Sequence, residues 1–262
     1  MNENLKGKSA IITGAASGMG LAFAEALAEH GCQVALADLD EAAGKLAVQK
    51  ISGTGANCFF HKTDVSSSRD ARALIDATMG KFGRLDILIN NAGIQHLAPI
   101  HEYEEEQWNR LLSVMLTGTF LCTKYALPPM MAQKRGRIIN ISSIHGLVAS
   151  EFKCAYTAAK HGVIGFTKVL ALEGAPHNIT AVAICPSYVR TPLVERQIKE
   201  QAERHHIAEN EVIEKIMLGP AALKRLLEPR EVADLVLYLA GSDAAQAITG
   251  SALTIDCGWT AR

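Results

Sequence analysis

Seven short apolar runs, each set off by turn residues and followed by a longer amphipathic stretch, limit what this chain can fold into. The runs occupy residues 9–13, 34–37, 58–61, 85–90, 137–141, 180–185 and 252–255. They are rich in Ile, Val, Leu and Ala and lack polar alternation, so both faces of each strand must be covered. Helical periodicity fills 19–30, 41–51, 68–82, 104–131, 155–175 and 229–240. Such alternation predicts an α/β fold. The expected form is a single doubly wound Rossmann-type domain over residues 1–262, a seven-stranded parallel sheet with helices on both faces.

Composition narrows the function classes. The chain has 48% hydrophobic and 20% charged residues and a formal net charge of −1, which gives no electrostatic reason to expect nucleic acid or a membrane as partner. The first eight residues hold no apolar core of a signal segment, and no run of about eighteen apolar residues occurs, so a cytoplasmic location is expected. Six cysteines are scattered without a Cys-x-x-Cys pair, so neither a metal site nor a redox motif is expected. Asn140-Ile141-Ser142 and Asn178-Ile179-Thr180 fit the glycosylation sequon, here read as chance matches. Residues 191–223 break the alternation, being long, charged and helix-prone. They are either a solvated surface helix or a helical lid over the carboxyl ends of the strands, where open α/β sheets bind ligands.

The junction of the first run and first helix reads Thr13-Gly14-Ala15-Ala16-Ser17-Gly18-Met19-Gly20. Gly14, Gly18 and Gly20 allow a tight turn and a close backbone approach, and Ser17 and Met19 lie between them. A pyrophosphate can then rest on amide N–H groups at the positive end of the helix. Asp38 ends the second run about 20 residues later, where a carboxylate binds ribose hydroxyls and repels a 2′-phosphate. Neither Ala15, Ala16, Ser17 nor Leu39 supplies a cation, so NAD is expected rather than NADP. Asp64 and Val65 at the third strand end, and Asn91, Ala92 and Gly93 after Asn90 at the fourth, complete the expected cofactor contacts.

Tyr156 and Lys160 are spaced i, i+4, with attachment points about 6 Å apart on one helix face. An ammonium beside a phenol is expected to lower the tyrosine pKa and make it a proton carrier near neutral pH. Ser143 precedes the tyrosine by thirteen residues and can hold the oxygen that gains or loses the proton.

Taken in order, these residues resemble the short-chain dehydrogenase/reductase family, over essentially the whole chain from Leu5 to Arg262. The resemblance implies that Tyr156 is the general acid/base and that Ser143 positions the substrate oxygen. It also implies that Lys160 tunes the tyrosine and binds the nicotinamide ribose, and that Thr191, Pro186 and Val189 face the nicotinamide. Family members are usually tetrameric. Gly93-Ile94-Gln95-His96, residues 144–150, 159–168 and 189–198, and Gly258-Trp259-Thr260-Ala261-Arg262 are similar to the branch that oxidises D-3-hydroxybutyrate. That likeness implies a small hydroxy acid as substrate, with Gln95, His145, Lys153 and Gln197 around its carboxylate. Lys153, three residues before Tyr156, can face the same cavity.

The chain departs from the family pattern at three positions. Met115 stands where an asparagine normally interrupts a helix and holds a water of the proton relay. A thioether cannot donate a hydrogen bond, so a rerouted or weakened relay is expected. Ser187 replaces the usual glycine after Pro186. Tyr188 replaces a tryptophan beside the substrate, which leaves a bulkier or more polar acid open. Two alternatives also stay open: another secondary alcohol, such as a sugar alcohol or acetoin, and an NAD-binding protein with regulatory work and little catalysis.

Overall fold

The computed structural model describes residues 5–261. The first four residues and Arg262, the last of the terminal stretch noted above, lie outside it. The strands are β1 (Ser9–Thr13), β2 (Gln33–Asp38), β3 (Cys58–Lys62), β4 (Ile87–Asn90), β5 (Gly136–Ile141), β6 (Ile179–Pro186) and β7 (Ala252–Ile255). They form one sheet in the order β3-β2-β1-β4-β5-β6-β7, with every neighbouring pair parallel. The order reverses between β1 and β4, which opens a crevice above their carboxyl ends.

Successive strand residues point to opposite faces, and here both sets are apolar. Ile12, Leu36, Ile89, Ile139 and Val182 meet Phe23 and Leu27 of α1 (Gly18–Glu29), Ala47 of α2 (Glu41–Ser52) and Val236 of α9 (Pro229–Gly241). Ile11, Ala35, Leu88, Ile138 and Ala181 meet Leu74 of α3 (Ser68–Phe82), Leu121 and Met130 of α5 (Gly118–Gln133) and Leu170 of α6 (Cys154–Gly174). Full burial of a side chain such as Phe23 or Leu27 contributes about 2 kcal/mol. These two cores hold the sheet rigid, so the loops at its carboxyl edge can carry the chemistry.

Two elements depart clearly from the sequence expectation, each for a physical reason. β4 starts at Ile87 rather than 85, because the side-chain amide of Gln133 takes the place of a strand partner at Leu85. Its Oε1 accepts from the Leu85 N–H at 3.0 Å and its Nε2 donates to the Leu85 carbonyl at 2.7 Å. The helix expected over 104–131 is two helices, α4 (Glu105–Leu112) and α5, joined by a π turn at Ser113–Thr117. The turn brings Gly118 so close to β3's following loop that a Cβ there would lie 2.9 Å from a Val65 methyl. Glu105–Gln133 is long and apolar enough to cross a membrane by length and composition, yet its apolar residues Leu111, Leu121, Cys122, Ala126 and Met130 are buried in the fold.

The charged segment is helical and packs at the carboxyl edge of the sheet. Thr191 caps α7 (Pro192–His205), accepting from the Val194 N–H at 3.4 Å, and Pro192 occupies the first helical position. After α7 come α8 (Glu209–Glu211) and a π turn at Val212–Met217. Val194, Ile198, Val212, Met217, Leu218 and Leu226 form a separate small core with Tyr188 and Ile144 at the carboxyl edge of the sheet. The charges of α7 (Glu195, Lys199, Glu200 and Glu203 among them) are on its exposed side.

Candidate active site

Two adjoining cavities lie over the switch point. The larger, about 500 Å³, is lined by Gly14, Ser17, Gly18, Met19, Asp38, Asp64, Val65, Asn91, Ala92, Gly93, Tyr156, Lys160 and Thr191. Gly14 has φ +64°, and a Cβ on it would stand 2.9 Å from the Ala92 backbone; only glycine fits. Ser17, the residue before α1, makes no side-chain cap, so the first N–H groups of that helix remain open toward the cleft. That is the donor set a pyrophosphate needs. Asp38 Oδ2 accepts from the Ala16 N–H at 2.9 Å, which fixes the carboxylate at the mouth of the glycine loop. Asp64 Oδ1 is held by the Ser66 N–H and hydroxyl at 2.9 and 2.6 Å. These residues therefore fit a dinucleotide along the whole cleft.

Three expected cofactor residues stand elsewhere. Gly20 supports the loop from behind, because a Cβ there would lie 2.0 Å from the Gly14 carbonyl. Pro186 is the last residue of β6, paired with Ile255, and does not line the cleft. Val189 lines the smaller cavity instead. Asn91 reaches the cleft, but its side-chain N–H groups are spent on the Thr13 and Gly14 carbonyls at 2.9 and 3.0 Å, so it shapes the glycine loop. The sequence reading missed Arg110 of α4 and Arg196 of α7, which add two cations to the same wall. Nothing local marks them, since each is one basic residue on a charged helix.

α6 delivers Tyr156 and Lys160 to the floor of this cleft. Lys160 is 4% exposed, and its Nζ donates to the Ile141 carbonyl at 2.7 Å. The ammonium lies 5.6 Å from the centre of the Tyr156 ring. Ser143, two residues beyond β5, accepts from the His145 N–H at 3.1 Å, which starts a short turn toward the second cavity. The expected lowering of the Tyr156 pKa is not found in this arrangement. Burial pushes the phenol up, and the Ser143 hydroxyl beside it opposes that effect. Burial also lowers Lys160 to about 8, because its partner is a neutral carbonyl rather than an acid.

The smaller cavity, about 70 Å³, is lined by Gln95, Ser143, His145, Lys153, Tyr156, Tyr188 and Gln197. It thus brings together every expected substrate residue. Lys153 is 2% exposed, donates to the Tyr188 hydroxyl at 3.0 Å and lies 3.3 Å from His145 Nε2. Its partners are thus uncharged, no carboxylate pairs with it among the described residues, and burial lowers its pKa to about 7. Burial and the neighbouring Lys153 hold His145 down at about 3, so the ring is neutral. Gln197 Nε2 is buried without a partner. Trp259, which the sequence placed in the terminal stretch without a site role, stands edge-on to His145 at 5.8 Å and donates to the Met217 carbonyl at 3.0 Å. It backs the imidazole and ties the turn at 256–260 to the Val212–Met217 segment.

Met115 is 1% exposed and packs with Leu111, Ala155 and Ala159 behind Tyr156. The helix interruption is present without an asparagine, as the π turn. The Met115 carbonyl accepts from the Thr119 hydroxyl at 2.7 Å.

Comparison with known proteins agrees with this geometry. A short chain dehydrogenase profile matches residues 8–202. A D-beta-hydroxybutyrate dehydrogenase of Rhizobium meliloti is 44% identical over 97% of this chain and 99% of its own length. One of Cupriavidus necator is 40% identical over 98% of this chain and 100% of its own. A cyclopentanol dehydrogenase of Comamonas is 36% identical over 97% of each. With a Rossmann-type sheet, a glycine loop made for a nicotinamide dinucleotide, and Ser143, Tyr156 and Lys160 at one cleft, the chain belongs to the short-chain dehydrogenase family of oxidoreductases.

Proposed function

We propose that this protein is an NAD-dependent dehydrogenase that interconverts D-3-hydroxybutyrate, or a close 3-hydroxy acid, with the 3-oxo acid. One observation carries the reading. Lys153 is a buried lysine without an acidic partner, lining a small cavity beside Tyr156. An ammonium held there is costly unless an anion joins it. Gln197 Nε2, also buried and unpartnered, adds a donor from the lid. A carboxylate bound by Lys153, Gln197, Gln95 and His145 directs the hydroxyl two carbons away toward Ser143 and Tyr156.

In the oxidative direction Tyr156, as phenolate, takes the hydroxyl proton while the C–H electron pair leaves as hydride and the carbonyl forms. Ser143 donates to the oxygen as its charge changes. Bound in the larger cleft, the nicotinamide supplies the hydride acceptor. Asp38, with no cation beside it on the glycine loop or at Leu39, supports NAD over NADP. The two hydroxybutyrate dehydrogenases among the relatives support the same substrate class. A homotetramer in the cytoplasm is the expected setting, from the family's habit and the chain's composition.

The cyclopentanol-oxidising relative supports a second reading, a secondary alcohol without a carboxylate. Comparing D-3-hydroxybutyrate with butan-2-ol separates the two. The proposal requires strong preference for the acid, lost in Lys153→Ala. Equal rates on both, indifferent to Lys153, would overturn it.

A further inference from the structure

Phe152 has φ +64°, a left-handed conformation that a bulky side chain rarely adopts. Such strain persists only where the surroundings impose it. It falls directly before Lys153, the first residue of the turn into α6, so the reversal at Phe152 sets the direction in which Lys153 enters the cavity. The surroundings that impose it come from two distant segments. The Phe152 carbonyl accepts from the Ala98 N–H at 3.1 Å. Its ring is covered by the end of the lid helix, with the Arg204 guanidinium 5.1 Å from the ring centre and the His205 ring at 6.0 Å. Arg204 has a second grip: its Nη2 donates to the Leu97 carbonyl at 2.8 Å.

One exposed side chain therefore touches both loops behind the substrate cavity. Residues 95–98 bring Gln95, and residues 150–153 bring Lys153. Arg204 itself stands on α7 seven residues after Gln197, about two helical turns along the same element. We propose that Arg204 is a positioning residue that staples the lid to these two loops, so that Gln95, Lys153 and Gln197 come into register together when α7 lies down. The proposal rests on the hydroxy-acid reading for its substrate, but the staple is a property of the chain. Among the described residues Arg204 makes no ion pair, so its charge is committed to the ring and the carbonyl. A cation over an aromatic face and a charge-assisted bond to a carbonyl both fail when the side chain is truncated.

Two measurements on the full-length enzyme test this. The first is hydrogen exchange of Arg204→Ala with NADH bound. Residues 95–98, 150–153 and α7 should exchange faster together by about tenfold, with the sheet unchanged. The second is steady-state kinetics. The KM for D-3-hydroxybutyrate should rise about tenfold with NADH affinity unmoved, Arg204→Lys should restore most of it, and Phe152→Leu should add little to Arg204→Ala. Unchanged exchange at 95–98 and 150–153 in Arg204→Ala would overturn the staple. So would an unchanged KM in Arg204→Ala alongside a raised KM in Lys153→Ala. If Lys153→Ala also leaves KM unchanged, the hydroxy-acid reading falls, and the exchange result alone decides the staple.

Discussion

Replacing Lys153 by methionine should stabilise the protein near neutral pH while it removes the cation proposed to bind the substrate carboxylate. The side chain is 2% exposed, and burial brings its pKa from 10.5 to about 7. Because the folded value lies below the unfolded one, the unfolded chain binds more protons between those two pH values. Wild-type stability therefore rises with pH across that window, and the penalty for the lysine is fully present only below it. At about 1.4 kcal/mol per pH unit, a gap of roughly three and a half units costs the fold about 5 kcal/mol at neutral pH. Methionine keeps most of the packing but leaves the Tyr188 hydroxyl and His145 Nε2 without the lysine, a loss of about 3 kcal/mol. The net gain is then about 2 kcal/mol near pH 7, a Tm increase of about 5 °C for a chain of this size. Near pH 9.5 the lysine's penalty falls by about 3 kcal/mol, so the order reverses and the variant melts first. Thermal unfolding of both proteins at the two pH values, alongside hydroxy-acid turnover, is the assay. A Lys153→Met variant less stable than wild type at both pH values would refute the argument that this ammonium is held against its solvation preference.

Three further outcomes follow from the site. Turnover and affinity should diverge with pH. The kcat for oxidation rises above neutral because burial holds the Tyr156 phenol up, whereas KM worsens above about pH 7 as Lys153 loses its charge, so initial rates at low and saturating acid should give different optima. Asp38→Ser should raise the ratio of NADP to NAD efficiency by about tenfold or more, by removing a carboxylate that repels a 2′-phosphate; an unchanged ratio would show that another group sets the preference. Met115→Asn should cost about 2 kcal/mol in urea unfolding, since it buries an amide among Leu111, Ala155 and Ala159. It should also raise turnover if the relay behind Lys160 is weakened, and a folded variant with an unchanged or lower rate would retire that argument.

The sheet and the glycine loop were legible because each strand carries its own apolar signature and the loop is local in sequence. The glycine spacing of 14–20 is read from neighbours in sequence, as is the Tyr156–Lys160 spacing on one helix, although the contact that bars a side chain at Gly14 comes from Ala92. The strand start at Ile87 was not legible, since a glutamine 48 residues away takes over at Leu85. The π turn at Ser113–Thr117 was not legible from the residues themselves, which all tolerate a helix; only the family pattern at Met115 pointed to an interruption there. The electrostatics of Tyr156 and Lys160 were misjudged from spacing alone. Distance along a helix says nothing of the Ile141 carbonyl that holds the ammonium or of the burial that raises the phenol. The resemblance named the residues of the smaller cavity, but the bond from Lys153 to Tyr188, 35 residues on, and that from Arg204 to Leu97, 107 residues back, exist only in the fold.

The proposed function requires Tyr156 to perform proton transfer on a small acid held by Lys153. Nicotinamide reduction across D- and L-3-hydroxybutyrate and matched alcohols without a carboxylate, in wild type and Tyr156→Phe, tests it most directly. NAD-linked oxidation of the D-acid alone at a substantial rate is expected, abolished in Tyr156→Phe with NADH binding retained. Turnover that survives in Tyr156→Phe, or that ignores the carboxylate, would contradict it.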